Sequence, residues 1–76
     1  MVKSIEEIKR KTGDRIKELR TKKLGISQED FARLLGVDRT YLSRIESGKQ
    51  NITINTLNDI CNKFDISLKD FFEPFI

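Results

Sequence analysis

The apolar positions of this 76-residue chain recur at helical spacing, and nothing alternates like a strand for more than a few residues. Ile5, Ile8, Thr12, Ile16 and Leu19 fall three or four apart, which predicts a first helix from Ser4 to about Lys22. Gly13 sits in its middle, where glycine costs about 1 kcal/mol relative to alanine, and offers a point at which the helix could divide in two. Four later segments repeat one pattern of apolar residue, cap, three positions and apolar residue. They are Ile26-Ser27 with Phe31, Val37-Asp38 with Leu42, Ile52-Thr53 with Leu57, and Ile66-Ser67 with Phe71. Each is a hydrophobic staple around an N-cap whose oxygen can accept from first-turn amides. Helix two is therefore expected from Gln28 to about Leu35, helix three from Arg39 to about Ser47, helix four from Ile54 to about Lys63 and helix five from Leu68 to about Phe72. Gly36 and Gly48 suit left-handed helix ends, and Pro74 ends the fifth helix. The expected fold class is all-α, a compact five-helix bundle in one domain, 1–76.

Helix three has a face with no purpose in its own core. With an advance of about 100° per residue, Arg39, Ser43, Ser47, Thr40 and Arg44 span an arc of roughly 140°. Leu42, Ile45 and Tyr41 fall opposite. The polar arc carries two guanidinium forks, small hydroxyls and no carboxylate, a set suited to guanine edges and phosphates in a DNA major groove. Solvated helix faces usually mix charge signs.

Composition narrows the function classes. Hydrophobic content of 37% and charged content of 36% fit a folded domain. No apolar run approaches the roughly 20 residues that span a membrane, and no signal-peptide pattern opens the chain, so a cytoplasmic protein is expected. The chain has no histidine, so the usual catalytic triads and metal sites are missing. Its carboxylates cluster at helix starts, where the macrodipole explains them. Neither an enzyme, a cofactor nor a metal is expected. The single cysteine, Cys61, falls in the apolar pattern of Leu57, Ile60 and Phe64 and reads as core. Net charge is +3, distributed as +5 over residues 1–24, zero over 25–51 and −2 over 52–76. One end suits a polyanion and the other does not.

Gly36-Val37-Asp38 between helices two and three matches the short turn of a helix-turn-helix, with Ala32 small enough for a close crossing. IKELR, SQEDFARLLGV, YLSRIESGK and the TINTLNDICNKFDISLKDFF tail carry a resemblance. Over about residues 12–72 the chain resembles the Cro/repressor-type (XRE) helix-turn-helix family, a lambda-repressor-like fold. The run DRTYLSRIESGKQNIT is similar to that of the controller proteins of restriction–modification systems, whose recognition helices begin with the same Asp-Arg-Thr-Tyr quartet. The segment Arg20 to Gln28 is one residue longer than the family's spacing, which puts phosphate contacts from Lys22 or Lys23 in doubt.

The resemblance implies roles residue by residue. Arg39, Thr40, Ser43 and Arg44 would face base edges, and Gln28 would donate to a backbone phosphate. Tyr41 would either pack on helix two or reach the DNA. Lys49, Gln50 and Asn51 would lie along the sugar–phosphate backbone, unless they form an ordinary polar loop. Glu46 should pair with Arg20 as a structural contact. Glu29 and Asp30 are open to two readings, helix capping or an RNA polymerase contact like that of activating lambda-type repressors.

One helix in one groove reads too few bases, so such modules work as two-fold dimers. Helix five and the tail, about residues 65–76, crowd Ile66, Leu68, Phe71, Phe72, Phe75 and Ile76 into eleven residues. Ile66 and Phe71 are expected to close the monomer core. Leu68, Phe72, Phe75 and Ile76 are expected to form a homodimer interface. The expected function is a sequence-specific DNA-binding regulator acting on an inverted-repeat operator, as a restriction–modification controller or, alternatively, a phage or mobile-element repressor. An antitoxin-like protein-binding module is the alternative of a different class, and it would call for an extended segment beyond the bundle.

Overall fold

Every helix in the computed structural model, which describes residues 4–75, starts at a side chain that stands just before it. The helices are α1 (Ile5–Leu19), α2 (Gln28–Leu35), α3 (Arg39–Glu46), α4 (Ile54–Phe64) and α5 (Leu68–Phe72). Ser4, Ser27, Asp38, Thr53 and Ser67 hold extended backbone, and each accepts a hydrogen bond from an amide of its helix's first turn. These bonds run from 3.0 to 3.2 Å. No strand occurs among the described residues. A short 3₁₀ turn, Glu73–Phe75, follows α5 and contains Pro74.

The exits of α2, α3 and α4 share one geometry as well. Gly36 (φ 71°), Gly48 (φ 77°) and Asp65 (φ 57°) turn left-handed. The next residue's amide then reaches back five positions, Val37 to the Ala32 carbonyl, Lys49 to Arg44 and Ile66 to Cys61, at 2.9–3.1 Å. These are Schellman closures. Asp65 is the one position where a non-glycine bears the strain, which Asp tolerates better than most residues.

Gly13 does not divide α1, which runs through it unbroken. Its missing side chain answers a different demand. A Cβ built there would sit 2.4 Å from the Ile45 carbonyl oxygen and 2.6 Å from that of Glu46. α1 crosses the last turn of α3 backbone to backbone, and only glycine allows that approach. The corner between Arg20 and Gln28 bulges at the other end of α1. Residues Arg20–Leu24 form a π-helical turn in which the Gly25 amide donates to the Arg20 carbonyl, and Gly25 closes it left-handed at φ 64°. The widening is confined to a single turn and leaves α1 and α2 intact.

The core gathers one residue or more from each helix. Ile16, Phe31, Ala32, Leu42, Ile45, Leu57, Ile60, Cys61, Phe64 and Phe71 are all buried. Phe31 of α2 stacks on Phe64 of α4, with ring centroids 5.1 Å apart. Burial raises the pKa of the Cys61 thiol and keeps it protonated, in keeping with a packing role. No helix is long and apolar enough to cross a membrane.

Gly13 gives a test by sign. In a helix whose surface is open, Gly→Ala stabilises by about 1 kcal/mol. Gly13→Ala should instead destabilise by about 1–3 kcal/mol, because the new methyl meets backbone oxygens that cannot rotate away. Urea unfolding measures it, and a stabilised variant would refute the close crossing.

Candidate nucleic-acid interface

The candidate site is α3, and its orientation is set from behind. Glu46, on the last turn of α3, is buried together with Arg20 at the end of α1, their side chains 2% and 8% exposed. The pair is bidentate, with Arg20 Nε to Glu46 Oε2 at 2.8 Å and Nη2 to Oε1 at 2.9 Å. Arg20 Nη1 donates to the Ile26 carbonyl at 2.8 Å, and Gln28 Nε2 donates to Glu46 Oε1 at 2.9 Å. The end of α1, the entry to α2 and the end of α3 therefore meet at one charged knot. The Arg20–Glu46 pairing expected from the sequence is present. The Gln28 bond was not anticipated. One of the two N–H donors of Gln28 is spent on Glu46, which leaves one N–H for a further partner.

On the outward side, Arg39, Thr40, Arg44 and Ser47 are exposed and Ser43 is half-buried, while Leu42, Ile45 and Glu46 are buried. The polar arc and the apolar arc are thus separated as the helical spacing implies. Asp38 reaches forward to the Thr40 amide at 3.1 Å, which fixes the first turn and spends the nearest carboxylate on a cap. Tyr41 is half-buried and packs against the core, which favours its packing role.

The loop after α3 folds back on the helix. Gly48 lies so close to α1 that a Cβ there would be 3.0 Å from the Arg10 Cα. Its left-handed turn carries Lys49 and Gln50 over Arg44. Arg44 Nε donates to Gln50 Oε1 at 3.2 Å, and Nη2 to the Lys49 carbonyl at 3.4 Å. Lys49 and Asn51 are exposed beside it. The hydrogen bond from Arg15 and, after it, the charge of Lys22 in the π-helical corner, 3.5 Å away, hold the exposed Glu18 carboxyl below its usual pKa.

At the far end, Phe71 is buried, whereas Phe72 and Phe75 are half-buried and meet edge to face at 5.3 Å. Leu68 is 41% exposed. Ile76 lies outside the described residues. α5 is held by Arg15, whose Nε and Nη2 donate to the Phe71 and Asp70 carbonyls at 3.0 and 3.1 Å. No local pattern in the sequence announces that contact, since 55 and 56 residues separate the partners. Apolar exposure reaches further than the tail. Ile54, at the start of α4, is 75% exposed, and with Ile5, Ile8, Ile52, Leu57 and Phe72 it lines a groove of about 280 Å³. Among the described residues no cluster of metal-ligating side chains occurs.

A helix-turn-helix family model matches residues 16–71. The chain belongs to the XRE-type helix-turn-helix family. It is 40% identical over 68 residues to the control protein C.MunI of a Mycoplasma species, covering 90% of this chain and 92% of that one. It resembles the crystal structure of the restriction-modification controller protein C.AhdI from Aeromonas hydrophila with a TM-score of 0.79 and 36% identity, covering 87% of this chain and 98% of that one. It is also 40% identical over 58 residues to the antitoxin PezA of Streptococcus pneumoniae serotype 4, a match that covers 76% of this chain and 36% of PezA. The resemblance to controller proteins seen in the Asp-Arg-Thr-Tyr run thus extends over the whole bundle, and the family is one of DNA-binding regulators.

The charged knot predicts an asymmetry between its members. Glu46→Ala strands the Arg20 guanidinium in the interior and should cost about 3–5 kcal/mol. Gln28→Ala leaves the ion pair intact and should cost about 1–2 kcal/mol. Urea denaturation of both variants checks this, and equal losses would mean that the pair does not organise the corner.

Proposed function

We propose that this protein is a homodimeric controller of a restriction–modification system that binds an operator of two inverted half-sites. The observation that carries the reading is the outward face of α3, where Arg39, Thr40 and Arg44 are exposed together with no carboxylate among them. Arg39, Thr40, Ser43 and Arg44 read base edges in the major groove. The remaining N–H of Gln28, with Lys49, Gln50 and Asn51, holds phosphates on either side of the recognition helix. Tyr41, on the edge of the apolar arc, contributes at most a backbone contact. The similarity to control proteins over nearly the whole chain supports the subfamily. A methyltransferase gene and an endonuclease gene beside its own would distinguish it from a phage or mobile-element repressor. The match to PezA is confined to about a third of that protein, and an antitoxin role has no further support.

The dimer is proposed to form through α5 and the tail, residues 65–76, with Leu68, Phe72 and Phe75 in the interface. Ile54 lines the same groove as Phe72, and Gln50 and Asn51 line it too, so this apolar surface borders the proposed DNA face. Glu29 and Asp30 are exposed, but Arg33 lies 3.3 and 3.0 Å from them, so one net negative charge remains where a polymerase contact would form. Such surface pairs hold only about 0.5 kcal/mol each, and the polymerase contact stays a subsidiary part of the proposal.

Two measurements test it, using an operator recovered by selection from random-sequence duplexes. A guanidinium forked onto guanine contributes about 1–3 kcal/mol of discrimination. Arg39→Ala or Arg44→Ala should therefore weaken operator binding about 5- to 150-fold while binding to scrambled DNA changes much less. Equal losses on both duplexes would assign the arginines to the backbone. Phe72→Asp should give a folded monomer by sedimentation, with much weaker operator binding. A monomeric wild-type protein of full affinity would overturn the dimer.

A further inference from the structure

Arg44 is not a free side chain on the recognition face. The Schellman closure at Gly48 turns the chain so that the Lys49 carbonyl and the Gln50 side chain both stand over it. They take the same edge of the guanidinium, Nε and Nη2, as acceptors at 3.2 and 3.4 Å. That occupation has a chemical consequence. Arginine has five N–H donors in a fixed plane, and the two acceptors use two of them. Among the described residues the other end of the fork, Nη1 with the second N–H of Nη2, is left for a partner outside the protein. Two parallel N–H groups at that end match guanine O6 and N7.

We propose that Gln50 is a specificity-determining positioning residue, which buttresses Arg44 for end-on reading of a guanine and ties that contact to the adjacent phosphate. The inference rests on the base-reading role of α3 and deepens it. Gln50 is suited to both tasks. Its Oε1 accepts from Arg44, and its Nε2 then has two N–H groups for a phosphate oxygen. A glutamate could do the first and not the second, and a lysine the second and not the first. Holding one long side chain before binding also removes its ordering cost from the bound state. The backbone of this loop is fixed independently, because Gly48 is wedged against the Arg10 Cα, so a change at Gln50 alters the buttress without moving the turn.

The test is a series at position 50 measured on the selected operator and on scrambled duplex, with circular dichroism to verify folding. Gln50→Ala should lower the ratio of operator to scrambled affinity about 2- to 12-fold, the worth of ordering one rotamer-rich side chain. Gln50→Glu should keep the ratio while weakening both duplexes, since the acceptor stays and the phosphate is repelled. Gln50→Lys should lower the ratio while holding or raising affinity for scrambled DNA. In an Arg44→Ala background, Gln50→Ala should change the ratio no further. If Arg44→Ala lowers the ratio and Gln50→Ala does not, or if the two losses simply add, Gln50 is an ordinary backbone contact and the inference is overturned. If Arg44→Ala itself leaves the ratio unchanged, the base-reading role of Arg44 fails first, and the buttress fails with it.

Discussion

The geometry of this protein depends on the Arg20–Glu46 pair. Removing two charges from water costs several kcal/mol per ion, so a buried pair of this kind is poor evidence for stability. What it provides is placement. Arg20 spends three nitrogens, two on Glu46 and one on the Ile26 carbonyl, and Glu46 takes a further bond from Gln28. Any rotation of α3 about its axis would break several charge-assisted bonds at once. The exposed face of α3 is thus aimed by the buried one. Gly13 completes the constraint, since it lets α1 lie directly on the backbone of Ile45 and Glu46.

The proposed DNA-reading helix and the proposed dimer helix are different elements, α3 and α5. Cationic and hydroxylic side chains collect around α3 and its following loop, whereas the exposed large apolar side chains among the described residues are Ile5, Ile8, Leu34, Ile54 and Leu68, three of which line a groove together with Gln50 and Asn51. Arg15 ties α5 to α1. Its guanidinium grips the Phe71 and Asp70 carbonyls from α1, with its carbon 6.0 Å from the Phe71 ring centre. The same helix therefore supports α3 at one point and the proposed dimer helix, α5, at another.

Five helix starts were legible in the sequence because an N-cap is a local contact, read from a side chain and the amides two or three residues ahead. The polar and apolar arcs of α3 were legible for the same reason, since angular position follows from residue number alone. Whether Gly13 divides α1 stayed open in the sequence because propensity treats a helix in isolation, whereas the reason for the glycine lies in α3. Asp65 was missed because aspartate adopts left-handed backbone far less often than glycine, so its presence after a helix does not by itself mark the exit. Gln28, Gln50 and Arg15 carry hydrogen bonds whose partners lie 18, 6 and 56 residues away, distances at which side-chain direction is decided by the assembled fold. Ile54 escaped notice because the first turn of a helix can bury or expose the same residue, depending on what packs beside it.

The claim that α3 enters a major groove in two copies can be tested on the DNA itself. Methylating guanine N7 blocks the atom to which an arginine fork would bind. On the selected operator, methylation interference should find blocked guanines in two symmetric sets, with centres about 10 base pairs apart, one helical turn. Interference spread without symmetry, or none at any guanine N7, would contradict a pair of recognition helices reading the major groove.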